Sequence, residues 1–350
     1  MFLALLLIAC TADDGKPTPP GPQRDSDSGS GSSDDETGDA YTSDSDDSES
    51  TGGDSADSDS DTTDSSDSAD TSDSTDTSVS TPDPIAVYIL TGQSNSLGTT
   101  QFEGINPALY GPGSHDADGV TMFFWSNVDA GNTAYPPVLY GDSGGGLLSL
   151  QVQQGGGADP SFWGPEFGLA RRLYEAGDGE VLIIKASRGG GGNTWWDKAS
   201  FEVEPDNGHM WGHLADTTEL ALGAALELGR GVEVRGLLYL QGESNSDSEA
   251  ALADVRLADL VANLTAHIEG VVPGAAADMH TVIGEIAASG STSARVSTTE
   301  LQEALAESSP DISFVGTSDL PLKEDGIHFG KAAKLAIGER FADVLIAAED

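Results

Sequence analysis

Along residues 85 to 350, short aliphatic runs alternate with stretches in which apolar residues recur every three or four positions. Runs this short and this apolar read as strands buried on both faces, so the alternation predicts a parallel sheet covered by helices. Five strands are marked in this way: Ala86–Leu90, Val181–Ile184, Val234–Leu240, Thr281–Ile286 and Ile312–Val315. Helix ends are equally readable. Pro165 opens a helix that closes at Gly177, and Ser246 with Glu249 forms a capping box before Leu257, Leu260, Leu264 and Ile268 at helical spacing. Ser297 with Glu300 reads as another capping box, and a last helix from Lys331 to Ala347 carries Leu335, Phe341 and Leu345 on one face. The stretch from Thr99 to Ser161 is rich in Gly and Pro and lacks periodicity, so it is expected to form long loops over one edge of the sheet.

Before residue 85 the pattern changes character. Residues 11–84 hold 22 acidic and 2 basic residues, a net charge of −20, in a background of Ser, Asp, Thr and Gly. So little apolar surface cannot offset conformational entropy, and the tract is expected to be a disordered, self-repelling linker. Residues 1–10 are apolar and end at Cys10, the one cysteine of the chain. The run is too short to span a bilayer but long enough for the core of an export signal. Leu7-Ile8-Ala9-Cys10 resembles the bacterial lipobox, although no Lys or Arg precedes the run. The resemblance implies a lipidated Cys10, an exported protein anchored to the envelope membrane, and a linker that holds residues 85–350 off the surface. Those residues are acidic too, with 37 Asp and Glu against 13 Lys and Arg. Phosphate contacts need cations, so nucleic acid is excluded as a partner.

Ligands of an open parallel sheet bind beyond the carboxyl ends of its strands, which directs attention to the residues just after each strand. After the first comes Thr91-Gly92-Gln93-Ser94-Asn95-Ser96-Leu97-Gly98. It sets Ser94 on a tight turn entering a helix, a geometry that suits a nucleophile and equally suits a plain N-cap. Before the last helix stands Asp325-Gly326-Ile327-His328, whose spacing lets the Asp hold one imidazole nitrogen while the other faces a Ser hydroxyl. His328 alone among six His residues has an acid at this offset in a strand-to-helix loop.

Together the two motifs resemble those of the SGNH hydrolases, and within them the carbohydrate esterase family that includes sialate O-acetylesterases and acetylxylan esterases. Three further segments fit in order: Gly164-Pro165-Glu166-Phe167-Gly168, Lys185-Ala186-Ser187-Arg188-Gly189-Gly190, and Leu240-Gln241-Gly242-Glu243-Ser244. The resemblance implies a flavodoxin-like three-layer sandwich on a five-stranded parallel sheet, and a cofactor-free serine esterase acting on acetylated carbohydrate. It makes Ser94 the nucleophile, His328 the base and Asp325 its orienting acid. It also draws the oxyanion donors from the Ser94 amide, the Gly190 amide and the Gln241 side chain. The four glycines 189 to 192 depart from the family pattern and leave the donating glycine open.

Several residues near these motifs have more than one reading. Glu243 supports His328, binds a sugar hydroxyl or is a buried structural carboxylate. Gln93 and Asn95 flank Ser94 as supporting or substrate-binding candidates. Trp195, Trp196 and the more distant Trp211 form a stacking platform for a sugar ring or simply pack their loops. Lys185 and Arg188 are expected to pair with local carboxylates. No cluster has metal-ligand spacing, and no phosphate loop comes after a strand. Rival readings are a lipid or aryl esterase of the same fold and a surface lipoprotein that binds carbohydrate without chemistry.

Overall fold

The computed structural model describes residues 83–98, 121–129, 131–153, 162–177 and 179–349. The signal-like start, Cys10 and all but the end of the acidic tract lie outside the described residues. All five expected strands are present, as β1 (Ile85–Gly92), β5 (Val181–Ser187), β6 (Val232–Leu240), β7 (His280–Gly284) and β8 (Ile312–Val315). Among the described residues the sheet nevertheless has eight strands, not five, because β2 (Thr121–Val128), β3 (Leu139–Asp142) and β4 (Leu148–Ser149) form within the stretch expected to be loop. β2 is buried at every position, including the polar Thr121, Ser126 and Asn127, and lies parallel to β5, while β3 and β4 pair with it antiparallel. The sheet is therefore mixed, in the order β3-β2-β5-β1-β6-β7-β8 with β4 beside β2.

Helices cover both faces. Against one pack α4 (His209–Leu226) and α6 (Ala253–Val271), with Leu214, Leu222, Leu257, Leu260, Leu264 and Ile268 meeting Val87, Ile89 and Leu237. Against the other pack α2 (Glu166–Ala176) and α8 (Lys331–Glu349), with Phe167, Leu173, Ile337, Phe341 and Leu345 meeting Tyr88, Leu90 and Ile183. A β-carbon on Gly168 would lie 2.0 Å from the Leu335 carbonyl oxygen, and one on Gly338 would lie 2.0 Å from that of Pro165. Only glycine lets the backbones of α2 and α8 approach this closely.

Two helix starts differ from expectation. The Ser246 capping box exists but caps a separate single turn, α5 (Asp247–Ala250), with α6 coming after it. Ser297 and Glu300 form no cap: α7 (Ser293–Ser308) begins a turn earlier, where the Thr292 side chain accepts from the Arg295 amide. An N-cap must have non-helical backbone, and Thr292 is extended while Ser297 lies inside the helix. Order reverses at β1, which is flanked by β5 and β6, so the carboxyl end of β1 is where an open sheet of this kind forms its crevice.

Candidate active site

β1 leads through Gln93 into α1 (Ser94–Leu97), a single turn closed by hydrogen bonds from Leu97 N to Gln93 O and from Gly98 N to Ser94 O. Ser94 Oγ lies 2.9 Å from His328 Nε2, and His328 Nδ1 lies 2.9 Å from Asp325 Oδ2. A carboxylate only accepts, so Nδ1 carries the proton, Nε2 is bare, and the Ser94 hydroxyl donates to it. The other Asp325 oxygen accepts from the amides of Ile327 and His328, each at 2.9 Å. Partial burial pulls the Asp325 carboxyl upward, but these bonds and the imidazole outweigh it and hold the pKa down to about 2. The three residues read from two distant motifs thus meet in one hydrogen-bonded series.

Asn95 holds the histidine loop in place. Its Oδ1 accepts from Phe329 N at 3.0 Å, and its Nδ2 donates to Ile327 O at 3.1 Å and to Glu243 Oε1 at 2.6 Å. Glu243 is buried and reaches Asn95 and the Ala287 amide, not the His328 ring. Gln93 accepts at Oε1 from the amides of Gly242 and Ser244, tying the turn after β6 to the turn after β1.

The glycine turn after β5 faces Ser94: a β-carbon on Gly189 would lie 3.7 Å from the Ser94 β-carbon, and Gly190 has φ 78°, a left-handed conformation suited to glycine. Gln241 is buried beneath this turn and does not present a free amide to it. Its Nε2 donates to Gly191 O at 3.1 Å and Asn245 Oδ1 at 2.8 Å, which uses both hydrogens, so the expectation that it serves as an oxyanion donor is corrected. Asn245 Oδ1 also accepts from Asn193 N, and Arg256 reaches Asn193 Oδ1 and Thr194 Oγ1. The side chains after β6 therefore fix the loop instead of lining the cavity.

Of the two readings of the tryptophans, packing holds for Trp196 and Trp211. Trp196 is buried, with Nε1 donating to Thr91 Oγ1 at 3.0 Å, and Trp211 is buried in the core. Trp195 is half-buried, but the Arg188 guanidinium lies 3.6 Å over its ring and His209 packs beside it. Lys185 does pair with a carboxylate: it is fully buried, 2.9 Å from Glu166 Oε2, and also donates to Leu97 O at 3.0 Å. Sequence reasoning missed Lys334, whose ammonium donates to Gly98 O and Trp163 O. Two buried lysines thus satisfy the last carbonyls of α1, the turn that carries Ser94. The available signal was a lysine on the apolar face of the last helix. Among the described residues no group of three or more His, Cys, Asp or Glu is arranged to hold a metal ion.

Sheet, helices and site together define the class, an α/β hydrolytic enzyme. The chain belongs to the family described as carbohydrate esterase, sialic acid-specific acetylesterase, whose model matches residues 84–347, and it is a carboxylic ester hydrolase. An Arabidopsis thaliana protein solved by X-ray crystallography is similar in fold, with a TM-score of 0.53 at 18% identity, covering 75% of this chain and 98% of that one. NanS matches with a TM-score of 0.47 at 15% identity, covering 76% of this chain and 98% of its own. A carbohydrate acetylesterase from Xanthomonas citri matches with a TM-score of 0.49 at 17% identity, covering 73% of this chain and 54% of its own. No curated protein matches.

Proposed function

We propose that the protein is a serine esterase of the SGNH type that removes O-acetyl groups from carbohydrate, either an acetylated polysaccharide or sialic acid. The observation that carries this reading is the unbroken series from Asp325 through His328 to Ser94, at 2.9 Å for each step. Ser94 Oγ attacks the acetyl carbonyl carbon as its proton passes to His328 Nε2. The tetrahedral oxyanion is held by the amides of Ser94 and Gly190. As it collapses, the bond to the sugar oxygen breaks and His328 returns the proton to that oxygen. A water then repeats the sequence on the acetyl-enzyme, releasing acetate and restoring Ser94. The same intact series weighs against a binding protein without chemistry. Acetate release from a panel of acetylated glycans, run beside p-nitrophenyl esters of increasing chain length, tests the reading. Ser94→Ala is expected to remove activity with the fold intact. Retained turnover would overturn the triad, and a preference for long acyl chains would favour the lipid-esterase alternative.

We further infer that the protein is exported and anchored through a lipid on Cys10, with the acidic tract as a hydrated spacer. The apolar run ending at the one cysteine supports this, as does the composition of residues 11–84. Cys10→Ser is expected to move the protein from the membrane to the soluble fraction. Unchanged fractionation and no uptake of labelled fatty acid by the parent would overturn it.

A further inference from the structure

His328 stands on a partly exposed loop, and its side chain must keep Nε2 aimed at Ser94. The peptide groups on both sides of it are held by one side chain, because Asn95 donates to Ile327 O and accepts from Phe329 N. An amide rotated by half a turn would oppose oxygen to carbonyl oxygen and NH₂ to N–H, losing both bonds. The two backbone groups therefore already favour the observed orientation, and any further contact that distinguishes oxygen from NH₂ strengthens that preference. Glu243 Oε1 is such a contact: it accepts the second hydrogen of Asn95 Nδ2 at 2.6 Å, and the rotated amide would set two oxygens against each other. Ala287 N donates to the same carboxylate oxygen at 3.2 Å and fixes Glu243 in turn.

From this geometry we propose that Glu243 is a positioning residue that acts on His328 through Asn95, by fixing the orientation of the Asn95 amide. The proposal rests on the triad reading above. Its cost is visible in the structure. Glu243 is buried, its Oε2 has no hydrogen-bond partner among the described residues, and burial raises its pKa from the ordinary carboxylate value. A carboxyl that serves only as an acceptor at Oε1 needs no charge, which separates this role from that of the ionised Asp325.

The experiment compares kcat, KM and the pH profile of acetate release for Glu243→Gln and Glu243→Met. Glutamine keeps the Oε1 acceptor, so Glu243→Gln is expected to retain wild-type kcat and an unchanged profile. Methionine keeps the bulk but removes the acceptor, and kcat is expected to fall about 100-fold with KM unchanged, the scale of a small misplacement of a reacting group. If Glu243→Met does not fold, Glu243→Leu removes the same acceptor with a different side-chain shape. A Glu243→Gln variant as impaired as Glu243→Met would overturn the proposal, as would a fully active Glu243→Met. Ser94→Ala run alongside keeps the two readings apart. An active Ser94→Ala refutes the triad, whereas an inactive one beside a fully active Glu243→Met refutes only the positioning role.

Discussion

Asp325 and His328 are three residues apart, yet the aspartate grips the histidine twice, taking the ring Nδ1 on one carboxylate oxygen and the backbone amide on the other. The loop is thus its own scaffold, and no second strand supplies the acid. Asp325→Asn would keep one oxygen for the backbone amides and turn an NH₂ toward Nδ1. The ring would then accept at Nδ1 and carry its proton on Nε2, where it cannot take one from Ser94. Turnover is expected to fall by about 10⁴-fold with the protein still folded. Held down to about 2 by the His328 and Ile327 amides and the imidazole, the Asp325 carboxyl is ionised at neutral pH. A kcat/KM profile of Asp325→Asn at near wild-type height would refute this assignment.

The hydrogen-bonded series of Ser94, His328 and Asp325 was legible because each residue lies in a local motif whose spacing restricts its geometry. Gln241 was not, because an amide at the end of β6 can face the cavity or the loop beneath it. Its direction depends on Asn245 and Gly191, which sequence order does not bring together. β2 was hidden for a different reason. In Thr121–Val128 the polar Thr121, Ser126 and Asn127 leave an apolar run of only four residues, Met122–Trp125, and the flanks are rich in Gly and Pro, so the strand does not stand out from a loop. The tryptophans were left with two readings for a similar reason, since a large ring on a loop serves a ligand or a core equally well until its neighbours are known.

The crossing of α2 and α8 should be intolerant of any side chain. At Gly338 an added β-carbon would meet the Pro165 carbonyl at 2.0 Å, and that atom is backbone that cannot swing away. Gly338→Ala is expected to destabilise the domain by about 1–3 kcal/mol or more, as overpacking does. Chemical denaturation measures it, and an unchanged midpoint would show that the helices separate without cost.

Lys185 and Glu166 form an ion pair with both side chains fully buried. Removing either partner leaves a charge in the interior, at a cost of about 3–5 kcal/mol, so Lys185→Met and Glu166→Gln should each strongly lower the melting temperature. Lys185→Met should also reduce kcat, because it frees the Leu97 carbonyl at the end of the turn bearing Ser94. The double variant leaves no unpaired charge and is expected to recover part of the lost stability. A double variant whose loss equals the sum of the two singles would show that the pair is not coupled.

A last expectation concerns stability against pH and turns on His213. The ring is buried beside Ser126, with Nε2 3.1 Å from the Ser126 hydroxyl. Burial lowers its pKa to about 4, despite the opposing pull of the Ser126 backbone and Asp216. An unfolded histidine titrates near about 6.5, so between these values the unfolded chain binds a proton that the folded chain does not. The contribution is therefore fully present above about pH 6.5 and is lost as pH falls toward 4, with about 2 kcal/mol disappearing between pH 7 and pH 5. Glu243, raised by burial, works in the opposite direction, losing its contribution as pH rises above the ordinary carboxylate range. The informative quantity is thus a difference: urea unfolding of the wild type and of His213→Gln at pH 7 and pH 5. The wild type should lose more stability over that interval than the variant, which has no titrating group at this site. Equal losses would assign the pH dependence to other groups and refute the role given to His213.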